Sequence, residues 1–499
     1  MKEEFAFTTS DEVFSWLSRF INLEQGQKPK SFRLDRMETL CKLAGSPEKC
    51  APSVHIAGSK GKGSVTSMLA AMLTAAGYRV ARYMSPHVIN IRERICLGNE
   101  FFDEDVYVSA GNELRRITEE LLPALKDSQP SAASLFDPST DEGCEPTFWE
   151  LLTLLFFLCA RCAKCDVIAA ETGMGGRLDS TNVLDPVVSV ITLIELEHTS
   201  ILGSTIEAIA GEKAGIIKPG KPLILAKQCG EALKVFEQKS QEKNSPLIYF
   251  PDIAELSNIK VTEQGTEFSL LNLDSSLFPC RCASSESLGG NPNELHLSIP
   301  LPGKVQAENA ALAITALKTA FPKIGEKAIR GGLANLKIPA RFEKIAEEAP
   351  TAHQKTFIID GAHTPESLAL CIETFCSLYG EGGVLIFGCA ADKDAAAMAG
   401  IAHSRFAKII ITTPGTFKTS SPEHVYEIFA KIAGTEKTLL VKDTREAVRQ
   451  ARLFAEGCQN NSRGDAESQR KEDDAALPIL GTGSFYLVSE IRKCMVKNG

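Results

Sequence analysis

Short apolar runs alternate with longer amphipathic stretches through the first two thirds of the chain. The runs SVHIA, DVIAA, VVSVITLI and PLILA begin at residues 53, 166, 187 and 222, and they have the length and composition of buried strands. Between them, apolar residues recur every three or four positions, as on a helix with one buried face. This alternation predicts an α/β fold in which helices cover a mostly parallel sheet.

A second series of the same kind follows the segment NLKIPAR at 335–341. Five further runs, TFIID, VLIFG, KIIIT, TLLVK and PILG, are each followed by a helical segment. Five such strand–helix units are enough to form a compact domain. We therefore predict two domains, a larger one at 1–337 and a smaller, Rossmann-like α/β domain at 338–499.

Three polar stretches interrupt these patterns, at 127–146, 262–298 and 456–474. The first and the last are rich in the small, charged and amide residues that are typical of surface insertions. The middle stretch has the alternating, turn-rich pattern of a small antiparallel excursion. The sequence assigns no function to any of the three.

The glycine-rich stretch HIAGSKGKGS at 55–64 lies between a predicted strand and a predicted helix. Its three glycines uncover backbone N–H groups and allow positive φ, so the loop can wrap phosphate oxygens at the positive end of the helix dipole. Lys62 would then reach the outer phosphates of a nucleotide, and the Ser64 hydroxyl would bind Mg²⁺. The spacing GxxGKGS departs from the usual GxxxxGKS or GxxxxGKT. A glycine-rich turn that serves packing alone is the alternative.

An acidic residue ends the run DVIAAE at 166–171 and precedes a glycine-rich turn. Glu171 would lie at the C-terminal edge of the sheet, where ligands bind in such folds, and its carboxylate would suit Mg²⁺. An acid that caps a helix or lies on the surface is the alternative. His198 follows the next strand, and Lys213 lies in a helix where, judged alone, it is a solvated residue.

The charge of the chain narrows the range of partners. There are 54 Lys and Arg against 63 Asp and Glu, a net charge of −9, without a basic stripe interleaved with aromatic residues. This balance excludes nucleic acid as the expected partner. The N-terminal segment is acidic where a secretion signal is basic, and no apolar stretch reaches membrane-spanning length. We therefore expect a cytoplasmic protein without a membrane partner.

Fifteen cysteines without a secretion signal predict reduced thiols rather than a disulfide framework. Cys159, Cys162 and Cys165 end an apolar helix with CxxCxxC spacing, but no fourth ligand follows at a recognisable distance. Thiols near one face of a helix are therefore favoured over a zinc or iron–sulfur site.

Several motifs, taken in order, resemble the folylpolyglutamate synthase and dihydrofolate synthase family of the Mur ligase superfamily. The resemblance extends from about residue 32 to about residue 493. Its motifs are HIAGSKGKGS, YMSPHVINIRERI, TFWELLTLLFF, ETGMGGRLDSTNV, LEHTSILGSTIEAIAGEKAGIIKPG, AENAALAITAL, PARFE, DGAHTPESL and ADKD.

The resemblance implies an ATP-dependent amide ligase with an N-terminal P-loop ATPase domain. ATP would phosphorylate the carboxylate of a folate or of dihydropteroate, and the amine of L-glutamate would displace the phosphate to form an amide. A carboxylate is a poor electrophile, so phosphorylation supplies a leaving group whose charge cations must stabilise. The implied cofactors are ATP and one or two Mg²⁺ ions. The implied partners are small molecules, and the implied state is a monomer.

The resemblance also assigns roles to individual residues. The nucleotide would contact Gly58, Ser59, Lys60, Gly61, Lys62, Gly63, Ser64, Gln306, Asn309, Arg341, Asp360 and His363. The metal would be held by Ser64, Ser85, Glu171, His198 and Lys213, and Lys213 matches a family lysine that is carbamylated. The catalytic residues would be Lys62, Lys213, His198 and Arg341. Arg341 would reach the γ-phosphate, and closure of the two domains would complete the site.

A few positions depart from the family pattern, and two alternatives stay open. The departures are Ser59 for Thr, Lys60 for Asn, Glu197 for Asp, Ser200 for Asp, Ala340 for Gly and Thr364 for Asn. One alternative is a peptidoglycan-type amino-acid ligase of the same superfamily, which would lack the glycine between Lys62 and Ser64. The other is a catalytically silent nucleotide-binding regulator.

Overall fold

The computed structural model describes residues 6–22, 32–128, 134–136, 145–271, 294–345, 356–415, 419–457 and 476–495. Its chain divides into two units. The first comprises 1–260, 266–300 and 304–337, and the second comprises 261–265, 301–303 and 338–499. Much of the three polar stretches at 127–146, 262–298 and 456–474 lies outside the described residues.

An eight-stranded sheet runs through the first unit in the order β4-β3-β2-β5-β1-β6-β7-β8. Its strands are β1 (Ser53–Ala57), β2 (Val80–Tyr83), β3 (Ile95–Leu97), β4 (Glu100–Phe101), β5 (Val167–Glu171), β6 (Val188–Ile191), β7 (Leu223–Leu225) and β8 (Leu247–Tyr249). The six strands in the order β2-β5-β1-β6-β7-β8 pair in parallel. Strand β3 pairs antiparallel with β2 at the edge of this group, and β4 pairs antiparallel with β3. The expected mostly parallel sheet is confirmed.

The register of the central strands brings the candidate loop and the candidate acid to the same edge. Strand β1 lies between β5 and β6, and Ile56 of β1 is opposite Glu171 of β5. All five residues of β1 and all five of β5 are buried. Because both strands end within two residues of this pair, the loop that follows β1 leaves the sheet beside Glu171.

Helices of the first unit cover this sheet. They are α1 (Ser10–Leu17), α2 (Leu34–Leu43), α3 (Lys62–Ala75), α4 (Glu104–Arg116), α5 (Leu122–Ser128), α6 (Phe148–Cys162), α7 (Thr199–Leu202), α8 (Ile206–Lys213), α9 (Gly230–Glu242), α10 (Phe250–Ile253), α11 (Lys304–Ala320) and α12 (Glu326–Ala334). Helix α3 is buried from Gly63 to Leu73. Helices α11 and α12 pack against it, so the helix that follows the glycine-rich loop is held from several sides.

Helix α6 is buried along most of its length, as expected of a helix that is apolar all round. It begins with a capping box in which Glu150 accepts hydrogen bonds from the Thr147 backbone and hydroxyl, both at 2.8 Å. Arg36 of α2 also donates to Glu150, at 2.9 Å, and the two side chains are only 2% and 4% exposed. Among the described helices, none combines the length and the apolar character that a bilayer crossing requires.

The structure has two further sheets, one of three strands and one of six. The small sheet has the order β11-β10-β9, from β9 (Glu255–Thr262), β10 (Gly265–Leu271) and β11 (Leu295–Ile299), and β10 pairs antiparallel with β11. The second unit holds a six-stranded sheet in the order β12-β13-β17-β14-β15-β16, in which only β12 is antiparallel. Its strands are β12 (Glu343–Lys344), β13 (Phe357–Ile359), β14 (Gly383–Phe387), β15 (Phe406–Ile411), β16 (Thr438–Leu440) and β17 (Ile479–Thr482).

Helices of the second unit alternate with its parallel strands, which confirms the Rossmann-like α/β fold. They are α13 (Pro365–Tyr379), α14 (Ala395–Ala402), α15 (Pro422–Ala433), α16 (Thr444–Gly457) and α17 (Phe485–Met495). Each of the nine apolar runs read from the sequence overlaps an observed strand. Two of the strands that the pattern did not predict, β2 and β8, have four and three residues, too few for a period to be recognised.

The buried ion pair between Arg36 and Glu150 provides a test of this packing. We expect Arg36→Leu to lower the free energy of unfolding by about 3–5 kcal/mol, because it leaves a buried carboxylate without its cation. Chemical denaturation of the full chain measures this change. The control is Lys239→Ala, which removes an ion pair whose side chains are 42% and 43% exposed and should leave the free energy of unfolding nearly unchanged. Equal losses in the two variants would contradict the expectation.

Candidate active site

The glycine-rich loop spans the gap between β1 and α3, and two of its glycines have left-handed backbones. The φ angles are 144° at Gly58 and 86° at Gly61. A Cβ atom at Gly58 would lie 1.8 Å from Thr192 Oγ1, and one at Gly61 would lie 2.2 Å from Asn309 Oδ1. Both positions therefore require glycine for its conformation and for the space that its missing side chain leaves.

Gly63 differs from Gly58 and Gly61, because its missing side chain matters for space and not for backbone conformation. It lies in the first turn of α3 with an ordinary helical backbone, so it does not use the positive φ that a glycine allows. A Cβ atom there would lie 3.3 Å from Glu171 Oε2 and 3.3 Å from the Met84 methyl group. The residue that sets this loop apart in sequence therefore lets the start of the helix approach a carboxylate closely.

Part of the loop backbone is bonded to the segment after β6. The Ser59 and Lys60 amides donate to the Leu193 carbonyl at 2.9 and 3.3 Å, and the Ser59 hydroxyl donates to the Glu195 carbonyl at 3.0 Å. These two N–H groups are thus engaged within the protein. The loop is anchored to the segment that continues to Glu197 and His198.

Two lysine amines converge on one loop carbonyl. Lys62 Nζ donates to the Gly58 carbonyl at 3.0 Å, and Lys213 Nζ donates to the same oxygen at 2.8 Å. Lys213 Nζ also contacts Glu197 Oε1 at 2.8 Å. The Lys213 side chain is only 1% exposed, so the view of Lys213 as a solvated helix residue is wrong.

Burial and charge shift the proton affinities of this pair. Burial lowers the pKa of Lys213 to about 8, even though the Glu197 carboxylate favours the charged amine. Burial by itself raises the pKa of Glu197, but the charges of Lys62, Lys213 and His198 outweigh it and hold that pKa at about 2. Glu197 is therefore an anion at neutral pH, and the Lys213 ammonium gives up its proton more easily than a solvated lysine does.

Glu171, Ser64 and Ser85 lie beside the loop and carry oxygen atoms that suit a metal ion. The Glu171 side chain is buried, and its Oε2 accepts a hydrogen bond from the Ser85 amide at 3.2 Å. Ser64 is also buried and directly follows Gly63, the residue that faces the same carboxylate. Carboxylate and hydroxyl oxygens are ligands that Mg²⁺ prefers, so these donors fit that ion.

The predicted metal ligands are not a conventional cluster of acidic, histidine or thiol side chains. Within the ranges that the structure describes, no three His, Cys, Asp or Glu side chains converge as a metal-binding group. The predicted set holds only two such residues, Glu171 and His198. His198 has a φ of 49° and precedes α7, directly after the glutamate that contacts Lys213.

Gln306 and Asn309 lie in the first turns of α11 and support the loop from within the first unit. Asn309 Nδ2 donates to Gln306 Oε1 at 3.2 Å, and both side chains are buried. The Asn309 amide oxygen occupies the space next to Gly61. A contact of Asn309 with adenine stays a prediction.

The predicted residues of the second unit also lie together. The Arg341 guanidinium is 4.6 Å from the centre of the Phe485 ring, and the His363 ring is 5.7 Å from the same ring. The two Asp360 carboxylate oxygens accept from the Phe342 and Ala362 amides, both at 2.8 Å. Burial raises the pKa of Asp360, although the Arg341 charge opposes the shift.

A buried polar chain beneath the site was missed by the sequence analysis. His55 Nε2 and the Thr181 hydroxyl are 2.7 Å apart, and that hydroxyl donates to Asp179. The other Asp179 oxygen accepts from the Gly173 and Met174 amides at 2.9 and 3.0 Å. These bonds hold the turn that follows Glu171. The Asp-Ser-Thr sequence, which favours side-chain bonds to nearby amides, is the signal that was available.

Comparison with known families gives matches in both units. The model described as the Mur ligase middle domain matches residues 141–317, and the one described as the Mur ligase, glutamate ligase domain matches residues 340–458. The dihydrofolate synthase/folylpolyglutamate synthase of Bacillus subtilis is 32% identical over 393 residues, which cover 78% of this chain and 81% of the relative. The folylpolyglutamate synthase of Lacticaseibacillus casei is 30% identical over 467 residues, covering 92% and 94%.

Solved structures match over nearly the whole chain. The Mycobacterium tuberculosis folylpolyglutamate synthase complexed with ADP and AMPPCP aligns with a TM-score of 0.78 at 26% identity, covering 98% of each chain. The Thermotoga maritima folylpolyglutamate synthase aligns with a TM-score of 0.73 at 27% identity, covering 98% and 97%. An FPGS–AMPPCP–folate complex aligns with a TM-score of 0.73 at 28% identity, covering 98% and 100%.

The close contact at Gly61 provides a test of the loop geometry. Gly61→Ala forces a Cβ atom into a left-handed backbone and against Asn309, so we expect it to lower the free energy of unfolding by about 1–3 kcal/mol and to weaken nucleotide binding. Calorimetry of AMPPCP binding and thermal unfolding measure the two effects. Gly331→Ala is the control, because it adds a methyl group in helix α12 with only a 4.0 Å contact and should be neutral or stabilising. Unchanged binding in Gly61→Ala would refute the expected geometry.

Proposed function

The chain belongs to the folylpolyglutamate synthase and dihydrofolate synthase family of ATP-dependent ligases, and from this premise we propose that it joins L-glutamate to the carboxylate of a folate or of dihydropteroate. The observation that carries the proposal is the convergence of Lys62 and Lys213 on the loop carbonyl of Gly58. A buried carboxylate, Glu171, lies beside the same loop. The proposed phosphate position thus has a cation, Lys62, and a carboxylate, Glu171, beside it.

The proposed reaction has two steps. The acceptor carboxylate first attacks the γ-phosphorus of ATP, so that an acyl phosphate forms and ADP leaves. The glutamate amine then attacks the acyl carbon, the bond from that carbon to the phosphate oxygen breaks, and phosphate departs while the nitrogen loses a proton. Both steps move negative charge onto phosphate oxygens, and Lys62 supplies a positive charge there. Arg341 of the second unit is the proposed further cation at the γ-phosphate.

Residues of the first unit are the proposed magnesium ligands. Ser64, Ser85, Glu171 and His198 would hold one or two ions, with Lys213 in its carbamylated form. Mg²⁺ supplies charge neutralisation at the phosphates. Oxygen donors dominate this set, which favours Mg²⁺ over zinc. Gln306, Asn309, Asp360 and His363 are the proposed further contacts of the substrates.

We also propose that Lys213 is carbamylated. In this step the neutral amine bonds to the carbon of CO₂ and releases a proton. The burial of the amine supports the proposal, because a buried ammonium is disfavoured. The carbamate would be an anion close to the Glu197 carboxylate, so a cation must lie between them. Carbamylation and metal binding are therefore expected to occur together.

Small molecules are the proposed partners, and a cytoplasmic monomer that binds neither nucleic acid nor membrane is the proposed state. A peptidoglycan-type ligase is not favoured, since the relatives are folylpolyglutamate and dihydrofolate synthases. A silent regulator is not favoured, since Lys62, Glu171 and Lys213 all lie around the loop.

A direct assay tests the activity. We expect phosphate release from ATP that depends on glutamate, Mg²⁺ and either dihydropteroate or a reduced folate, and a product heavier by one glutamyl unit. Mass spectrometry of the product separates addition of the first glutamate from chain extension. Folded protein that forms no such product with either acceptor would sink the assignment.

A lysine variant tests the proposed carbamate. Lys213→Ala should reduce turnover by at least about a hundred-fold, because it removes the carbamate that is proposed to hold Mg²⁺ at the phosphates, while AMPPCP binding is retained in part. Carbon-13 NMR with labelled bicarbonate should show a carbamate signal in the wild type that Lys213→Ala lacks.

Lys318→Ala is the control for this experiment. Lys318 is another lysine whose pKa burial lowers, but its amine bonds to the carbonyls of Pro322 and Ile324. We expect this variant to keep both the turnover and the NMR signal. Full turnover in Lys213→Ala, or the same signal in it, would refute the role of Lys213.

A further inference from the structure

The ring of Phe485 contacts two residues of the proposed reaction, although no role has been assigned to Phe485 itself. It is the first residue of α17. The Arg341 guanidinium lies 4.6 Å from the centre of its ring, within the range of a cation–π contact. The His363 ring lies 5.7 Å away, at an angle of 58°. One aromatic side chain therefore adjoins both functional groups.

The same ring packs directly on the loop between β13 and α13. A Cβ atom at Gly361 would lie 2.3 Å from Phe485 Cε1, so this position must lack a side chain for the ring to lie where it does. Gly361 follows Asp360, and its own amide donates to the Ala340 carbonyl at 3.0 Å. The ring, the loop and the segment that carries Arg341 thus form one packed group.

The backbone around Arg341 is held in an unfavourable conformation. Ala340 and Phe342 have φ angles of 57° and 47°, in the left-handed region that residues with a Cβ rarely adopt. Such a turn persists when its surroundings impose it. Here the Ala340 amide donates to Glu343 at 2.9 Å, and the Phe342 amide donates to Asp360 at 2.8 Å. The direction in which Arg341 leaves the backbone is therefore fixed.

We propose that Phe485 is a positioning residue that presets the Arg341 guanidinium for phosphoryl transfer, an inference that rests on the function proposed above. The strained turn fixes the start of the arginine side chain, and the ring holds its charged end. A guanidinium oriented before the substrate binds loses less conformational freedom in the reaction. The role assigned to the ring is exerted through Arg341, the residue proposed to contact the γ-phosphate.

Substitution of the ring tests the proposal. Phe485→Leu keeps an apolar side chain but removes the cation–π contact, so we expect kcat to fall about three- to thirty-fold, the range that such contacts span. The KM for ATP should change less than about two-fold, because the charge acts mainly in the transition state. Phe485→Tyr keeps the ring and should retain most of the wild-type kcat.

A second aromatic residue of the same unit is the matched control. Phe454 lies with its ring centre 5.8 Å from Lys408 Nζ and has no proposed role in the reaction. Phe454→Leu removes a comparable contact and should leave kcat unchanged. A fall in kcat as large as that of Phe485→Leu would mean that loss of any such ring disturbs the unit, and it would overturn the proposal.

A double-mutant cycle separates positioning from general stability. If Phe485 acts through Arg341, Phe485→Leu should lower kcat no further in an Arg341→Ala background. An equal loss in both backgrounds, or a Phe485→Tyr variant as slow as Phe485→Leu, would overturn the proposal. Phe485→Met replaces Phe485→Leu in the cycle if the leucine variant does not fold.

The wild-type assay distinguishes a failure of the proposed function from a failure of the proposed role of Phe485. A folded wild type that forms no glutamyl product with either acceptor overturns the proposed function, and the role of Phe485 with it. A wild type that forms the product at the same kcat as Phe485→Leu overturns only the role of Phe485.

Discussion

The buried amine of Lys213 is the constraint on which the first unit depends. A charged amine is unfavourable away from water unless partners surround it. Here the Gly58 carbonyl and the Glu197 carboxylate each lie 2.8 Å from the nitrogen. This requirement joins the loop after β1, the segment after β6 and the end of α8. Loss of either Lys213 or Glu197 would leave the other charge without its ion-pair partner in the interior.

The glycine-rich loop is shaped by its neighbours as much as by its own sequence. Thr192 and Asn309 fill the spaces next to Gly58 and Gly61. The Leu193 carbonyl accepts hydrogen bonds from two backbone amides of the loop. The loop is therefore preorganised before any ligand binds, which reduces the entropy lost on binding. Its separate anchoring to the segment before His198 ties the proposed phosphate site to the proposed metal site.

In the second unit, an unfavourable backbone conformation is held in place by hydrogen bonds and an ion pair. The turn that carries Arg341 has two strained residues, and Glu343 and Asp360 hold it through backbone amides. Glu343 also forms an ion pair with Arg492 of α17, the helix that begins at Phe485. Helix and turn are thus fastened at both ends of the aromatic contact. The family usually has glycine at the position of Ala340, and glycine would adopt the turn without strain. With alanine there, the turn depends more on the contacts that hold it.

The sequence by itself determined the alternation of nine strands with helices, the place of the phosphate loop and the family, because periodicity and motifs depend on residues that are neighbours along the chain. It also placed Glu171 at the correct edge of the sheet, since parallel strands share their C-terminal edge. Only the tertiary structure decided that Lys213 is buried, that Gly63 makes room for Glu171 and that Phe485 lies over Arg341. The Lys213 amine and the Gly58 carbonyl are 155 positions apart, and burial and pairing over such separations arise only when the packed chain brings distant segments together.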